Sequence, residues 1–196
     1  MLMSQGDRLG KPLYLLYPGD HYASGGDCLI GTVAGTCLVV CLYDSKIRLG
    51  GMINFVVPGT VGTQGILHDD ISRIGIVNME YLMGDMVKLG GDRKRMTAKI
   101  FGAAHTGDSA AGRASLPESN IRFVREYFEI ERIKIEKMDI GGMFRRKLYL
   151  FPGDGTVYRK VLRNNDENSE FISLEREYVH NEFVNSSRVG RIVLFD

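Results

Sequence analysis

The amino-acid sequence predicts a mixed α/β or α+β fold, with one layered domain followed by a C-terminal extension. Its 196 residues can bury one sizeable core, and 44% of them are hydrophobic and 25% charged, as in ordinary globular domains. Short β-branched and aromatic runs alternate with segments of helical period, which favours sheets covered by helices. We expect the domain to cover 1–163. The extension, 164–196, begins with a polar and acidic linker.

The strongest predicted strand is the continuous apolar run 38–43, whose composition is typical of a buried strand. A turn at 44–46 joins it to a second strand, 52–57, which Pro58 and Gly59 end. The pair therefore predicts a β-hairpin. Further strands are expected at 13–17, 29–33, 97–101, 133–138, 147–151 and 156–162.

Three helices are predicted. The first begins near Ser72 as its N-cap and ends at Gly90. The second begins near Ser119. Each has apolar residues at three- and four-residue steps, which form one face. In the first helix that face consists of Met79, Leu82, Met86 and Leu89. A third, short amphipathic helix in the extension is predicted from Phe171, Leu174 and Tyr178.

Composition and charge exclude several classes of protein. With 25 Lys+Arg against 24 Asp+Glu, the chain has no excess of positive charge to bind nucleic acid or an anionic membrane. We find no export signal and no unbroken apolar run of about 20 residues to insert into a membrane. Three cysteines do not make a disulfide framework, which favours the cytoplasm. No glycine-rich nucleotide loop is present, and we expect no cofactor.

The three cysteines differ in their surroundings. Cys37 follows Gly35 and Thr36 and opens the buried strand, so its thiol is either an exposed nucleophile at a strand edge or a small buried hydrophobe. Spacing alone favours the second interpretation. On an extended strand Cys37 and Cys41 are about 13 Å apart, too far for one zinc ion or a disulfide. Cys41 is therefore expected in the core. Cys28 has no assigned role, and geometry does not exclude its pairing with Cys37.

Several motifs, taken in order along nearly the whole chain, resemble the CheD family of chemoreceptor glutamine deamidases. The main one is TVAGTCLVVCLYD at 32–44, followed by GGM at 50–52. The resemblance continues with KLG at 88–90, AKIFGAA at 98–104, SN at 119–120, DIGG at 139–142, RKL at 146–148 and GRIVLF at 190–195. Arg145 departs from the family, which often has glycine there.

The resemblance implies a cysteine-dependent hydrolase that converts receptor glutamine side chains to glutamate. It further implies a Cys-His-Thr site on a layered α/β fold shared with deamidating toxins, without metal or cofactor. Cys37 falls on the nucleophile position and Thr32 on the threonine position. The implied partners are the cytoplasmic helices of chemoreceptors and, in many species, a CheC-type phosphatase.

The family's catalytic histidine is replaced, because Asn54 stands at its position. An amide side chain cannot exchange a proton near neutral pH, and loss of a general acid–base typically costs about 10²–10⁴ in rate. His105 and His68 lie in loops and are candidate substitutes, although a plain surface role is the simpler interpretation of each. Two hypotheses follow: a glutamine deamidase in which Asn54 serves poorly, or an impaired CheD-like module that binds chemoreceptors or CheC.

Overall fold

The computed structural model of the chain describes residues 2–4, 10–57, 65–106, 116–163 and 169–189. It contains ten strands and three α-helices within those ranges. The strands are β1 (Leu2–Ser4), β2 (Leu13–Leu15), β3 (His21–Ser24), β4 (Leu29–Ala34), β5 (Leu38–Asp44), β6 (Leu49–Phe55), β7 (Met96–Gly102), β8 (Lys134–Ile140), β9 (Arg145–Phe151) and β10 (Thr156–Leu162). The helices are α1 (Asp70–Lys88), α2 (Leu116–Glu131) and α3 (Ser169–Val189).

The strands form two five-stranded sheets. One has the order β1-β2-β4-β9-β10, and the other has the order β3-β6-β5-β7-β8. The pairs β2–β4 and β7–β8 are parallel, and the remaining pairs are antiparallel. Because β4 lies in one sheet and β5 in the other, the chain crosses between the sheets at residues 35–37.

The two sheets pack face to face. Apolar side chains from both fill the space between them, and this cluster contains Leu16, Ile30, Ala34, Val39, Cys41, Met52, Phe101, Leu148 and Leu150. Alternate residues of β5 point to the opposite face, where Leu38, Val40 and Leu42 pack in a second cluster with Met79 and Phe123 of the helices. The resulting layers are sheet, sheet and helices, which confirms the mixed α+β fold.

The predicted hairpin and first helix are confirmed, with one correction at the helix start. α1 is capped by Asp69, whose carboxylate accepts hydrogen bonds from Ser72 N at 2.9 Å and Ser72 Oγ at 2.6 Å. The prediction of Ser72 as the N-cap was therefore wrong, because the Asp69 carboxylate accepts from the free N–H group of the first turn. The helix ends before Gly90, which has a φ of +92° that suits glycine.

Other boundaries also differ from expectation. α2 begins at Leu116, so Ser119 lies inside its first turn and is buried. The helix expected to be short is α3, which has 21 residues. Strands β1 and β3 were not predicted from their short, mixed sequences. The apolar segment 192–195 lies outside the described residues, and the boundary between 163 and 164 stays a prediction.

Within the described ranges, no helix is long and apolar enough to cross a membrane. The same residues hold no group of three or more His, Cys, Asp or Glu side chains that could bind a metal ion.

Candidate active site

The crossing between the sheets, Gly35 to Cys37, is held in a defined backbone conformation. Ala104 N donates to Gly35 O at 2.8 Å, and Ala103 N donates to Cys37 O at 2.9 Å. Asn120 Nδ2 donates to Thr36 O at 3.0 Å. All three carbonyl oxygens are thus satisfied by the neighbouring segments, which leaves the N–H groups of Gly35 and Cys37 to bind another acceptor.

Gly102 makes this arrangement possible. A Cβ atom at Gly102 would lie 2.1 Å from Cys37 O, and its φ of +103° is in the region that favours glycine. A larger residue there would push the crossing away from β7. Gly102 therefore positions the crossing at 35–37, which we call the cysteine loop.

The thiol of Cys37 is buried, not exposed as a nucleophile at a strand edge would be. Cys37 has 0% exposure and packs with Val56, Leu116, Tyr178 and Val179. Two of these neighbours belong to α3. The expected place of Cys37 at the start of β5 is confirmed, and so is the burial that spacing alone favoured, because α3 covers this edge and removes the thiol from solvent.

A carboxylate from α3 accepts hydrogen bonds from the N–H groups of Gly35 and Cys37. Glu175 Oε1 accepts hydrogen bonds from Cys37 N at 2.9 Å and from Gly35 N at 3.2 Å. Glu175 Oε2 lies 3.7 Å from Arg145 Nε, and both side chains are less than a tenth exposed. Glu175, Arg145 and the cysteine loop therefore form one buried polar cluster.

The charges of this cluster oppose ionisation of the thiol. Burial raises the pKa of Cys37 well above its ordinary value, and the negative charges of Glu175 and Glu182 raise it further. Burial also raises the pKa of the Glu175 carboxyl, against the opposing effect of the Cys37 N–H group and Arg145. The pKa of Tyr178 is raised, again mainly by burial. Burial under α3 and the nearby carboxylates therefore disfavour the thiolate form of Cys37.

Thr32 and Asn54 lie together between the sheets. Asn54 Nδ2 donates to Thr32 Oγ1 at 2.9 Å and to Val33 O at 3.2 Å. Thr32 Oγ1 in turn donates to Leu16 O at 2.8 Å. Among the described residues Asn54 Oδ1 has no hydrogen-bond partner, although it is buried.

The relation of this pair to Cys37 follows from strand register. Asn54 of β6 pairs with Val39 of β5, so the side chains of Asn54 and Val39 are on the sheet face that meets the other sheet. Cys37 lies just before β5 and packs instead in the cluster that contains Val56 and Val179. No hydrogen bond given by the described residues joins Asn54 to the thiol. The structure brings Thr32 and Asn54 together and places Cys37 against Glu175.

The two candidate histidines are placed differently. His105 N donates to Gly142 O at 2.8 Å, and its Nε2 lies 3.4 Å from Glu118 Oε1 on α2. His105 directly follows Ala104, whose N–H group donates to Gly35 O, and its side chain is partly exposed. His68 ends a single 3₁₀ turn, Ile66–His68, and its side chain is not among those described. Their role as substitutes for the family histidine stays a prediction.

The other two cysteines are buried as well. Cys41 is buried between the sheets, where burial raises its pKa to about 12, and its expected core role is confirmed. Cys28 is also buried, and none of the three cysteines is in a disulfide. Pairing of Cys28 with Cys37, which geometry left open, is thus not seen.

Sequence reasoning missed Glu175. Its only signal was the helical period of Phe171, Leu174 and Tyr178, in which an acidic residue reads as part of a solvated face. Arg145 was noticed as a departure from a glycine, but its partner lies 30 positions away in another element. Neither local pattern could show that the two side chains meet in a buried site.

Comparison with known proteins shows the family of this chain. A family model described as CheD chemotactic sensory transduction matches residues 62–161. The chain is 34% identical to the probable chemoreceptor glutamine deamidase CheD of Hahella chejuensis over 187 residues, 95% of this chain and 86% of that protein. It is 34% identical over 182 residues to the protein of the same name from Janthinobacterium sp. (strain Marseille), covering 92% and 87%. A Shewanella oneidensis relative, CheD 1, is 32% identical over 83% of this chain and 78% of its own length. The chain belongs to the CheD family.

Proposed function

We propose that this chain is a chemoreceptor glutamine deamidase in which Cys37 is the nucleophile. Relatives that match most of the chain carry the name chemoreceptor glutamine deamidase. The substrates are glutamine side chains on the cytoplasmic helices of chemoreceptors, and the product is glutamate. Because these helices lie in the cytoplasm, we propose the same compartment for this protein, and three free cysteines support it.

One observation carries the proposal: the N–H groups of Gly35 and Cys37 converge on one carboxylate oxygen beside the thiol. Donors in that arrangement stabilise the oxyanion that forms when a thiolate attacks an acyl carbon. They are also fixed in advance, because the carbonyl groups of the loop accept hydrogen bonds from Ala103 and Ala104, which follow β7, and from Asn120 of α2. The site can thus bind the side-chain oxygen of glutamine and of the glutamate formed from it.

The proposed reaction has two steps. The Cys37 thiolate attacks the carboxamide carbon, the carbon–nitrogen bond breaks, and the nitrogen leaves as ammonia after gaining a proton. Water then attacks the resulting thioester, which releases glutamate and returns the proton to the thiol. The sum is glutamine plus water to glutamate plus ammonia, with no metal, oxidant or cofactor.

Asn54 limits the rate in this proposal. Its amide orients Thr32 through the 2.9 Å hydrogen bond, but it cannot hold the proton that moves from thiol to ammonia. Restoring an imidazole at this position is expected to raise the deamidation rate by about 10²–10⁴. A CheC-type phosphatase is the second partner we propose, on the family resemblance.

The test uses a purified chemoreceptor cytoplasmic fragment and mass spectrometry of its peptides. Deamidation adds about one dalton per glutamine and requires the nucleophile, so wild-type protein should produce the shift and Cys37→Ala should not. Cys41→Ala is the matched control and should retain activity, because Cys41 lies between the sheets. Asn54→His should accelerate the reaction. Binding of the fragment without any mass shift, in wild type and Asn54→His alike, would refute the enzyme and leave the binding module.

A further inference from the structure

Helix α3 presents one continuous face to the Cys37 site. Ile172, Glu175 and Val179 are each less than a tenth exposed, and they follow one another at three- and four-residue steps, which places them on one side of a helix. Tyr178 extends this face, and its ring lies so close to the loop after β2 that a Cβ on Gly19 would be 2.9 Å from it. The intervening residues 173, 176, 177, 180 and 181 are exposed.

A second contact holds the start of the helix. The rings of Tyr17 and Phe171 are 5.0 Å apart, and the Tyr17 hydroxyl donates to Glu170 Oε1 at 3.3 Å. Glu170 is exposed, and Tyr17 and Phe171 are partly exposed. The docked helix is therefore attached at its N-terminal turn by surface contacts and at its centre by the buried cluster around Glu175.

The group at the centre of this face, the Glu175 carboxylate, is the same chemical group as the product of the proposed reaction. Deamidation converts a glutamine on a receptor helix into a glutamate, and Glu175 is a glutamate on a helix. Its Oε1 atom takes both N–H donors that the oxyanion would need, at 2.9 and 3.2 Å. The carboxylate fills the space beside Gly35, because even a Cβ on Gly35 would be 2.3 Å from Oε2. A substrate side chain therefore cannot enter this space while the Glu175 carboxylate is there.

We propose that α3 is an intramolecular product mimic, which closes the Cys37 site with Glu175 and which a receptor helix must displace before deamidation. This inference rests on the proposed function for the identity of the displacing helix, whereas the closure itself rests on the contacts alone. The polar segment NNDEN at 164–168 connects α3 to the domain, so the helix is tethered at high effective concentration. A receptor glutamine competes with Glu175 for the same two donors.

The burial of Cys37 supports the closure. A thiol with 0% exposure cannot meet a glutamine of another protein while Val179 and Tyr178 cover it. Arg145 strengthens the docked state, because its Nε atom is 3.7 Å from Glu175 Oε2 and the pair is shielded from water. Removal of α3 would expose the thiol and take the nearest carboxylate away from it.

The test measures access to Cys37 in the full-length chain, without any need for turnover. Glu175→Lys places an ammonium group against two N–H donors and Arg145, and Glu175→Ala removes the carboxylate without adding charge. Glu177→Lys is the matched control, since it makes the same charge change on the exposed face of the same helix. Iodoacetamide labelling of each cysteine is followed by peptide mass spectrometry.

We expect both Glu175 variants to label Cys37 about tenfold faster or more than Glu177→Lys and wild type, with Cys41 still protected between the sheets. Unchanged labelling of Cys37 in both variants would overturn the proposal. Equal acceleration at Cys37 and Cys41 would overturn it too, because Glu175 would then hold the whole fold together.

The receptor fragment separates this proposal from the proposed function. Faster labelling of Cys37 with no deamidation by any variant would refute the deamidase and leave the closure standing. Deamidation by wild type with no change of labelling in the Glu175 variants would refute the closure and leave the deamidase standing. Faster labelling together with faster deamidation supports both.

Discussion

Gly35→Ala tests the contact between the cysteine loop and Glu175 from the loop side. The added Cβ would lie 2.3 Å from Glu175 Oε2, 2.9 Å from Oε1 and 3.0 Å from Cδ, all closer than van der Waals contact. The φ of Gly35 is outside the region that strains other residues, so the backbone accepts alanine. The carboxylate must therefore leave its place between the N–H groups.

The size of the effect follows from the two hydrogen bonds that are lost. Hydrogen bonds to a charged group contribute about 1.5–3 kcal/mol each, so loss of both weakens docking of α3 by at least about 3 kcal/mol. Because about 1.4 kcal/mol corresponds to a factor of ten, the undocked fraction rises by roughly two orders of magnitude. Labelling of Cys37 rises with it until the undocked state predominates.

The assay is again iodoacetamide labelling, with Gly84→Ala as the matched control. Gly84 lies in α1, and a Cβ there meets nothing within 4 Å. Since the new methyl group at position 35 also fills the space for a substrate carboxamide, deamidation should not increase although the thiol becomes accessible. Labelling of Gly35→Ala at the rate of Gly84→Ala would refute the reasoning.

Three further predictions concern charge. Burial raises the pKa of Glu175 and of Cys37, so the state with α3 docked binds protons more tightly than the undocked state. Docking of α3 should therefore weaken as pH rises, first above the ordinary carboxyl range and again above the ordinary thiol range. The labelling rate of Cys37, corrected for the fraction of thiolate, should rise in wild type as pH increases above the ordinary carboxyl range, whereas Glu175→Ala should lack this rise. In Glu175→Gln a carboxamide faces the same donors, and peptide mass spectrometry should show its conversion to glutamate, absent when Cys37→Ala is added. Retention of that glutamine while the receptor fragment is deamidated would contradict the product-mimic geometry. Asp44, fully buried, accepts from Arg95 and two backbone N–H groups, so Asp44→Ala should lower the free energy of unfolding by about 1–3 kcal/mol. The exposed Asp70→Ala should change it little, and equal effects in urea unfolding would refute the assignment. Because hydrogen bonding with Arg95 lowers the pKa of Asp44, this stability should be lost as pH falls below the ordinary carboxyl range.

Much of the fold was predictable from short-range patterns. The apolar run of β5 and the three- and four-residue period of α1 each report which side of an element is buried, because the period of a strand or helix is a local property. Strands β1 and β3, of three and four residues, escaped prediction because such short segments are stabilised by their neighbours more than by their own sequence.

The candidate site also has a part that local sequence could predict and a part that it could not. Local sequence and the family resemblance indicated Cys37, Thr32 and Asn54 as candidate site residues, since each stands at a fixed offset in or beside neighbouring strands. Only the tertiary structure brought Glu175 to the N–H group of Cys37, 138 positions away. Helical period alone assigns an acidic residue to solvent, and only packing shows that two N–H groups and an arginine replace the lost water. The sequence by itself therefore determined the fold class and indicated Cys37 as the candidate nucleophile, whereas the tertiary structure decided that α3 covers the Cys37 thiol.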